Sequence, residues 1–306
     1  MSGTAGQVWD DIHFTARDGL RLYARRYPAP PSPRKPVLCL AGLTRNSRDF
    51  HDLAVALSCS ASGRTVYTLD YRGRGLSERD PDWRNYVIPV EMLDVLDFVA
   101  LSGLHGAAVI GTSRGGLIAM AMAVAQPTAL GAVVLNDIGP VIELEGLMRI
   151  AGYVGKTPAP SSWQEATALV ATLGRSAFPA VSEREWEEVA RQWFNDKDGR
   201  PVLGYDPAIA KTVAVKGGRI PSLWPQFGAL VRVPLLVIRG EHSDILSPST
   251  VRAMQQRHPD CAVLTVAGQG HAPLLKDAAS IAGIQRFLAA ADVGRRVAAE
   301  DFGAAA

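Results

Sequence analysis

The stretch Gly-Thr-Ser-Arg-Gly-Gly at residues 111–116 places Ser113 between two glycines, directly after an apolar run at residues 107–110. A second apolar stretch, compatible with a helix, follows at residues 117–123. A strand, a G-x-S-x-G turn and a helix in this order are typical of a nucleophile elbow, in which the serine has a strained backbone. Glycines beside the serine let the strand and the helix approach closely. The sequence therefore predicts a serine hydroxyl lifted above a sheet edge, at a helix N-terminus that favours negative charge.

Two later segments carry the other groups that an activated serine needs. A strand-like run at residues 235–240 leads to Asp244, and another at residues 262–266 leads to His271. A serine hydroxyl needs a base to take its proton, and that base needs a carboxylate to hold its tautomer. Because the carboxyl ends of parallel strands meet at one edge of a sheet, we expect Ser113, Asp244 and His271 to form a catalytic triad.

The order serine, acid, histidine is that of α/β-hydrolases, and the chain resembles this family from about Trp9 to about Leu288. Residues 70–77, Asp-Tyr-Arg-Gly-Arg-Gly-Leu-Ser, are similar to the loop after the family's fourth strand. Residues 136–140, Asn-Asp-Ile-Gly-Pro, resemble the exit from its sixth strand. The resemblance implies an α/β fold with a mostly parallel, doubly wound sheet.

The resemblance also suggests an oxyanion hole. Residues 37–43, Val-Leu-Cys-Leu-Ala-Gly-Leu, match the family's third strand and oxyanion loop. Members usually carry His-Gly where this chain has Ala41 and Gly42, and that histidine generally supports the loop rather than acting in catalysis. By resemblance, the oxyanion hole would consist of the backbone N–H groups of Leu43 and Arg114.

The triad acid has one alternative, Asp137, which follows a strand-like run at residues 132–136. Some relatives with this fold take their acid from that position. Residues 240–246, Gly-Glu-His-Ser-Asp-Ile-Leu, resemble the family's usual acid loop more closely. The sequence therefore favours Asp244 over Asp137.

Strands and helices alternate along most of the chain, and they begin with an Asp-Gly turn that predicts an antiparallel hairpin. This alternation stops between residues 139 and 233, which we expect to form a helical cap. The α/β core is predicted at residues 1–138 and 234–294, and a C-terminal tail at residues 295–306. A cap of this kind would cover the serine, exclude water and shape an apolar pocket.

Within the predicted cap, Ser182 and Glu185 have the spacing of a capping box at the start of a helix. Trp186 and Trp193 lie on one face of that helix, where they either pack the cap onto the core or contact the substrate. Two roles are also open for Arg45 and Arg114. Each side chain either recognises a substrate carboxylate or forms an ion pair. A contact from either arginine would favour an acidic ester or lactone.

Composition excludes several other classes of protein. The 306 residues carry a formal net charge of +2, too small to indicate binding to nucleic acid or to an anionic membrane. Three scattered cysteines favour free thiols in a reducing compartment. With neither a signal-peptide pattern at the N-terminus nor a long apolar run, we expect a cytoplasmic protein.

The resemblance implies a serine hydrolase that cleaves a small carboxylic ester or lactone through an acyl-enzyme, without a cofactor or metal. The serine at the elbow argues against the dehalogenase and epoxide hydrolase branches, which need an aspartate there. A carbon–carbon hydrolase of ring-cleavage products is one alternative, although such relatives usually carry tryptophan where this chain has Ala272. A non-catalytic small-molecule receptor is the other, although pure binding does not need all three triad groups.

Overall fold

Ten strands occur in the computed structural model, which describes residues 7–60, 63–213 and 220–296. They are β1 (Asp10–Thr15), β2 (Arg21–Tyr27), β3 (Val37–Leu40), β4 (Val66–Asp70), β5 (Ala107–Thr112), β6 (Leu130–Asn136), β7 (Phe194–Lys197), β8 (Arg200–Leu203), β9 (Leu235–Gly240) and β10 (Cys261–Val266). Eight of them form one sheet in the order β1-β2-β4-β3-β5-β6-β9-β10, and β7 pairs only with β8. The sheet starts with the predicted antiparallel hairpin and is parallel from β4 to β10. The predicted mostly parallel sheet is thus confirmed.

Nine α-helices accompany these strands in the described part of the chain. They are α1 (His51–Ser58), α2 (Ile88–Leu101), α3 (Arg114–Ala125), α4 (Leu144–Tyr153), α5 (Trp163–Gly174), α6 (Glu183–Trp193), α7 (Trp224–Gly228), α8 (Pro248–Arg257) and α9 (Ala278–Asp292). Successive side chains of β5 point to opposite faces of the sheet. Val109 therefore joins the apolar cluster that contains Ile118 of α3, and Ile110 joins the one that contains Phe287 of α9. Helices cover both faces, as a doubly wound sheet requires.

The segment at residues 139–233 forms α4, α5, α6 and the β7–β8 hairpin, with an apolar cluster of its own that includes Val170, Phe178 and Trp186. The predicted capping box is present at the start of α6. The sequence predicted a helical cap, and it did not predict this hairpin. Its turn has Asp198 and Gly199 at φ values of 54° and 78°, as a two-residue turn of the Asp-Gly type requires.

The end of this segment packs on the core, in a cluster that also includes Ile150 of α4. Phe227 of α7 and Leu230 belong to the same apolar cluster as the side chains of α3. The domain boundary at residue 233 therefore stays a prediction, and most of the predicted tail at residues 295–306 lies outside the described residues.

The turn between β5 and α3 shows why the sequence has glycines around Ser113. Ser113 has φ 51° and ψ −110°, which is a strained conformation for a residue with a side chain. A Cβ atom on Gly115 would lie 2.1 Å from the carbonyl oxygen of Leu40 in β3. A Cβ atom on Gly111 would lie 2.5 Å from the backbone of Gly115. The strand and helix can approach this closely only because these side chains are missing.

We predict that Gly115→Ala lowers the free energy of unfolding by about 1–3 kcal/mol or more, because the backbone of β3 must move to admit the methyl group. Urea denaturation of the purified variants measures this effect. Gly152→Ala in α4 is the matched control, since a Cβ atom there meets nothing within 4 Å. The control is expected to gain up to about 1 kcal/mol from helix propensity. Equal stability of the two variants would contradict the packing explanation.

Candidate active site

Ser113, His271 and Asp137 form a continuous hydrogen-bonded chain at the carboxyl edge of the sheet. The Oγ of Ser113 lies 2.9 Å from Nε2 of His271, and Nδ1 of His271 lies 2.8 Å from Oδ2 of Asp137. An ionised carboxylate can only accept hydrogen bonds, so Nδ1 carries the proton and Nε2 is free to accept from the serine. This is the protonation pattern in which an imidazole can act as a base toward Ser113.

The carboxylate of Asp137 is fully buried and accepts two further hydrogen bonds. The backbone N–H of Gly240 donates to Oδ1 at 2.9 Å, and the hydroxyl of Ser243 donates to Oδ2 at 2.6 Å. Buried charged groups are stable only when they are well hydrogen-bonded. Both donors come from β9 and the loop after it. They hold the Asp137 carboxylate in place, and the same carboxylate bonds to His271.

The prediction that Asp244 holds His271 is wrong, and the alternative acid Asp137 occupies that position. Asp244 instead accepts two hydrogen bonds from the guanidinium of Arg149 in α4, at 2.5 and 2.9 Å. Burial raises the pKa of the Asp244 carboxyl, but the hydrogen bonds and charge of Arg149 outweigh it and hold the pKa below its ordinary value. The physical reason for the correction is strand order. Since β6 lies directly beside β5, Asp137 leaves the sheet one strand nearer to Ser113 than Asp244 does.

The two residues predicted for the oxyanion hole, Leu43 and Arg114, both lie beside Ser113, and one buried ionic cluster connects them. Arg74 donates from Nε to the carbonyl of Leu43 at 2.9 Å and from Nη1 to Glu91 at 2.6 Å. The second carboxylate oxygen of Glu91 accepts from Nε of Arg114 at 2.5 Å. Glu91 of α2 thus ties the loop after β3 to the first turn of α3. The sequence offered no motif that would have marked this glutamate.

The Arg114 side chain is therefore held in an ion pair, with a further hydrogen bond to the carbonyl of Tyr86 at 3.0 Å. Of the two alternatives considered for this arginine, the ion pair is present, and its contact with a substrate stays a prediction. The backbone of Arg114 remains next to Ser113 at the start of α3.

A cavity of about 140 Å³ lies over this hydrogen-bonded chain and is lined by Ser113 and His271 from the core. Its other walls include three residues predicted to contact the substrate, Arg45, Trp186 and Trp193. The guanidinium of Arg45 stacks on the Trp193 ring at 4.0 Å and donates two hydrogen bonds to Asp49 at 2.7 and 2.5 Å. The inserted segment thus covers the serine, and these three side chains lie close enough to meet a bound molecule.

Three residues that line this cavity each carry a buried N–H group with no acceptor among the described residues. These groups are Nη1 of Arg45, Nε1 of Trp186 and Nε1 of Trp193. Each buried donor without a partner costs about 1–3 kcal/mol. Such groups are rare in folded proteins.

Sequence reasoning missed two cationic residues of this cavity, Arg149 in α4 and Lys276 after β10. Lys276 lies 3.2 Å from Glu185 of α6. Neither residue belongs to a motif, and both reach the cavity only through tertiary packing. In the described part of the chain, no cluster of three or more histidine, cysteine, aspartate or glutamate side chains is arranged to hold a metal ion. None of the described helices combines the length and apolar character needed to cross a membrane.

A hydrogen-bonded serine–histidine–aspartate chain on a strand–turn–helix elbow is the arrangement that α/β-hydrolases carry. The model of the alpha/beta hydrolase family matches residues 37–283, and the chain belongs to this family. Together with the relatives described next, this makes the protein a hydrolase, so the alternative of a non-catalytic receptor is not supported.

Two named relatives and one solved structure are similar over most of the chain. A 3-hydroxybutyrate-oligomer hydrolase of Cupriavidus necator is 31% identical over 281 residues, which cover 89% of this chain and 94% of that protein. A 2-(acetamidomethylene)succinate hydrolase of Mesorhizobium japonicum is 27% identical over 237 residues, covering 77% and 81%. The crystal structure of an alpha/beta hydrolase from Novosphingobium aromaticivorans superposes with a TM-score of 0.85 at 39% identity, covering 94% of this chain and 99% of that one.

We predict that Glu91→Gln lowers the free energy of unfolding at pH 7 by about 3–5 kcal/mol, because the buried Arg74 and the partly buried Arg114 lose their counter-charge. Burial raises the pKa of the Glu91 carboxyl, but Arg74 and Arg114 outweigh it and hold the pKa below its ordinary value. The stabilisation is therefore complete above about pH 4.3, the unfolded value for glutamate, and is lost as the pH falls through the lower folded value.

Chemical denaturation of wild type and Glu91→Gln between pH 7 and pH 3 tests both statements. The difference in stability between the two proteins should be largest near neutrality and should shrink below about pH 4. A difference that stays constant over the whole range would show that the ionised form of Glu91 is not what stabilises the cluster.

Proposed function

We propose that the protein is a serine hydrolase that cleaves a small carboxylic ester through an acyl-enzyme, with Ser113 as nucleophile, His271 as base and acid, and Asp137 as the triad acid. The observation that carries the proposal is the unbroken chain of hydrogen bonds from Ser113 through His271 to the buried Asp137. This arrangement is what acyl transfer by a serine requires. The family membership and the name of the Cupriavidus necator relative, a 3-hydroxybutyrate-oligomer hydrolase, support hydrolysis as the class of reaction.

In the first half of the reaction, Ser113 Oγ attacks the ester carbonyl carbon while Nε2 of His271 takes its proton. The backbone N–H groups of Leu43 and Arg114 stabilise the oxyanion, and Asp137 stabilises the imidazolium. The C–O bond to the leaving alcohol then breaks, and His271 donates the proton to that oxygen. In the second half, His271 activates a water molecule that releases the acid from Ser113.

We predict that wild type hydrolyses p-nitrophenyl esters of short acyl chains and that Ser113→Ala reduces kcat by at least about 10⁴-fold, because no nucleophile remains. Initial rates over a series of acyl lengths measure this. Labelling by a fluorophosphonate is the second readout, and it should be lost in Ser113→Ala. A folded wild type that neither turns over any ester nor takes the label would refute the proposed serine chemistry.

We predict that Asp137→Asn lowers kcat on the order of 10⁴-fold, since the amide no longer holds the His271 tautomer that can accept the serine proton. Asp244→Asn is the matched control, because it makes the same chemical change one loop away, where the carboxylate pairs with Arg149. We expect the control to lose less than about tenfold. Steady-state kinetics of both variants, with circular dichroism to confirm folding, decide between the two acids. A larger loss of kcat in Asp244→Asn than in Asp137→Asn would show that Asp244 is the triad acid.

A further inference from the structure

The loop that carries His271 runs from the end of β10 to the start of α9. Within the described part of the chain, residues 270–276 take part in no backbone–backbone hydrogen bond. The other two members of the hydrogen-bonded chain are better fixed. Ser113 donates its backbone N–H to the carbonyl of Asn136 at 2.9 Å, and Asp137 donates to the carbonyl of Ile238 at 2.8 Å. His271 is therefore the member whose backbone is not held by strand residues.

Two side-chain amides hold this loop instead of backbone pairing. Oε1 of Gln269 accepts from the backbone N–H of Leu274 at 2.9 Å. Nδ2 of Asn136 donates to the backbone carbonyl of Pro273 at 2.9 Å, two residues after the histidine. Gln269 belongs to the same loop, whereas Asn136 is the last residue of β6. Among the described residues, the bond from Asn136 is thus the one hydrogen bond that ties the backbone of residues 270–276 to the sheet.

The same amide also contacts the segment that carries the serine. Nδ2 of Asn136 donates to Oγ1 of Thr112, the residue before Ser113, at 3.0 Å. A primary amide has two N–H donors, so the loop carbonyl and the threonine hydroxyl take one each. The side chain has no exposed surface, and its Oδ1 has no partner among the described residues. Exchanging the amide nitrogen and oxygen would set Oδ1 against the carbonyl of Pro273, so this contact fixes the orientation of the amide.

We propose that Asn136 is a positioning residue that sets the place of the His271 imidazole relative to Ser113. It does so by bridging the residue before the serine and the loop after the histidine. The inference rests on the proposed function and adds to it a buried residue that is not among those lining the cavity over Ser113. Proton transfer from serine to histidine needs a hydrogen bond of normal length, and a displacement of about 1 Å can lower a rate by about 100-fold.

Butanoate esters with three different leaving groups test this role. The histidine gives its proton to the leaving oxygen, and the need for that proton rises from p-nitrophenolate through phenolate to ethoxide. In Asn136→Ala we expect kcat/KM to fall by about tenfold for p-nitrophenyl butanoate, and by up to about 100-fold for the phenyl and ethyl esters. A residue that only stabilises the fold would lower all three values by the same factor. Initial rates give these values, and circular dichroism confirms folding.

Asn195→Ala is the matched control, because it removes another buried contact from an amide to a loop carbonyl. Nδ2 of Asn195 in β7 donates to the carbonyl of Gly75 at 2.6 Å, and Asn195 is not among the residues lining the cavity. We expect this variant to lose stability in urea denaturation and to keep the wild-type ratios of kcat/KM among the three esters. Asn136→Asp, which keeps the shape and replaces the NH₂ group by oxygen, should show the same pattern as Asn136→Ala.

The outcomes separate this inference from the proposed function. An equal fall for all three esters in the Asn136 variants, or unchanged kinetics in them, would overturn the positioning role and leave the serine mechanism intact. A change of the ester ratios in Asn195→Ala as large as in Asn136→Ala would overturn it as well. If Asn136→Ala does not fold, Asn136→Asp carries the same test. If folded wild type cleaves no p-nitrophenyl ester, the failure lies with the proposed function instead.

Discussion

The close approach of β5 to α3 at Ser113 is the constraint on which the rest of the site depends. Positive φ at Ser113 turns the chain sharply, and the absence of side chains at Gly111 and Gly115 lets the helix start against β3. This brings the hydroxyl above the sheet edge and puts the backbone of Arg114 at its side. The strain at one residue is tolerated because the sheet on both sides of β5 holds the strand in place.

A second constraint acts on the loops around the elbow. Glu91 has no exposed surface and bonds to both Arg74 and Arg114, while Arg74 also holds the carbonyl of Leu43. The two backbone segments proposed to hold the oxyanion therefore share one buried carboxylate. Stabilisation of a developing charge works best when the donors do not have to reorganise during the reaction. The ionic cluster holds both segments in place.

The fold and most of the catalytic chain could be predicted from sequence because local patterns determine them. Glycines around Ser113 and apolar runs before the loops specify the elbow and the sheet, and the loop after β10 contains His271. The choice between Asp137 and Asp244 depends on tertiary contacts that no local pattern records. Both aspartates follow strands, and only the packing shows that Arg149, 95 residues away in sequence, binds Asp244.

The same contacts show that the loop after β9 bonds both to Asp137 and to the inserted segment. Ser243 of that loop donates to Asp137, and its neighbour Asp244 pairs with the inserted segment. The loop thus supports the acid from β6 while anchoring α4 above the serine. Because Asp137 is the carboxylate that bonds to His271, Asp244 is left to connect the covering segment to the core through Arg149. The position of the acid and the closure of the cavity are therefore consequences of one arrangement of this loop.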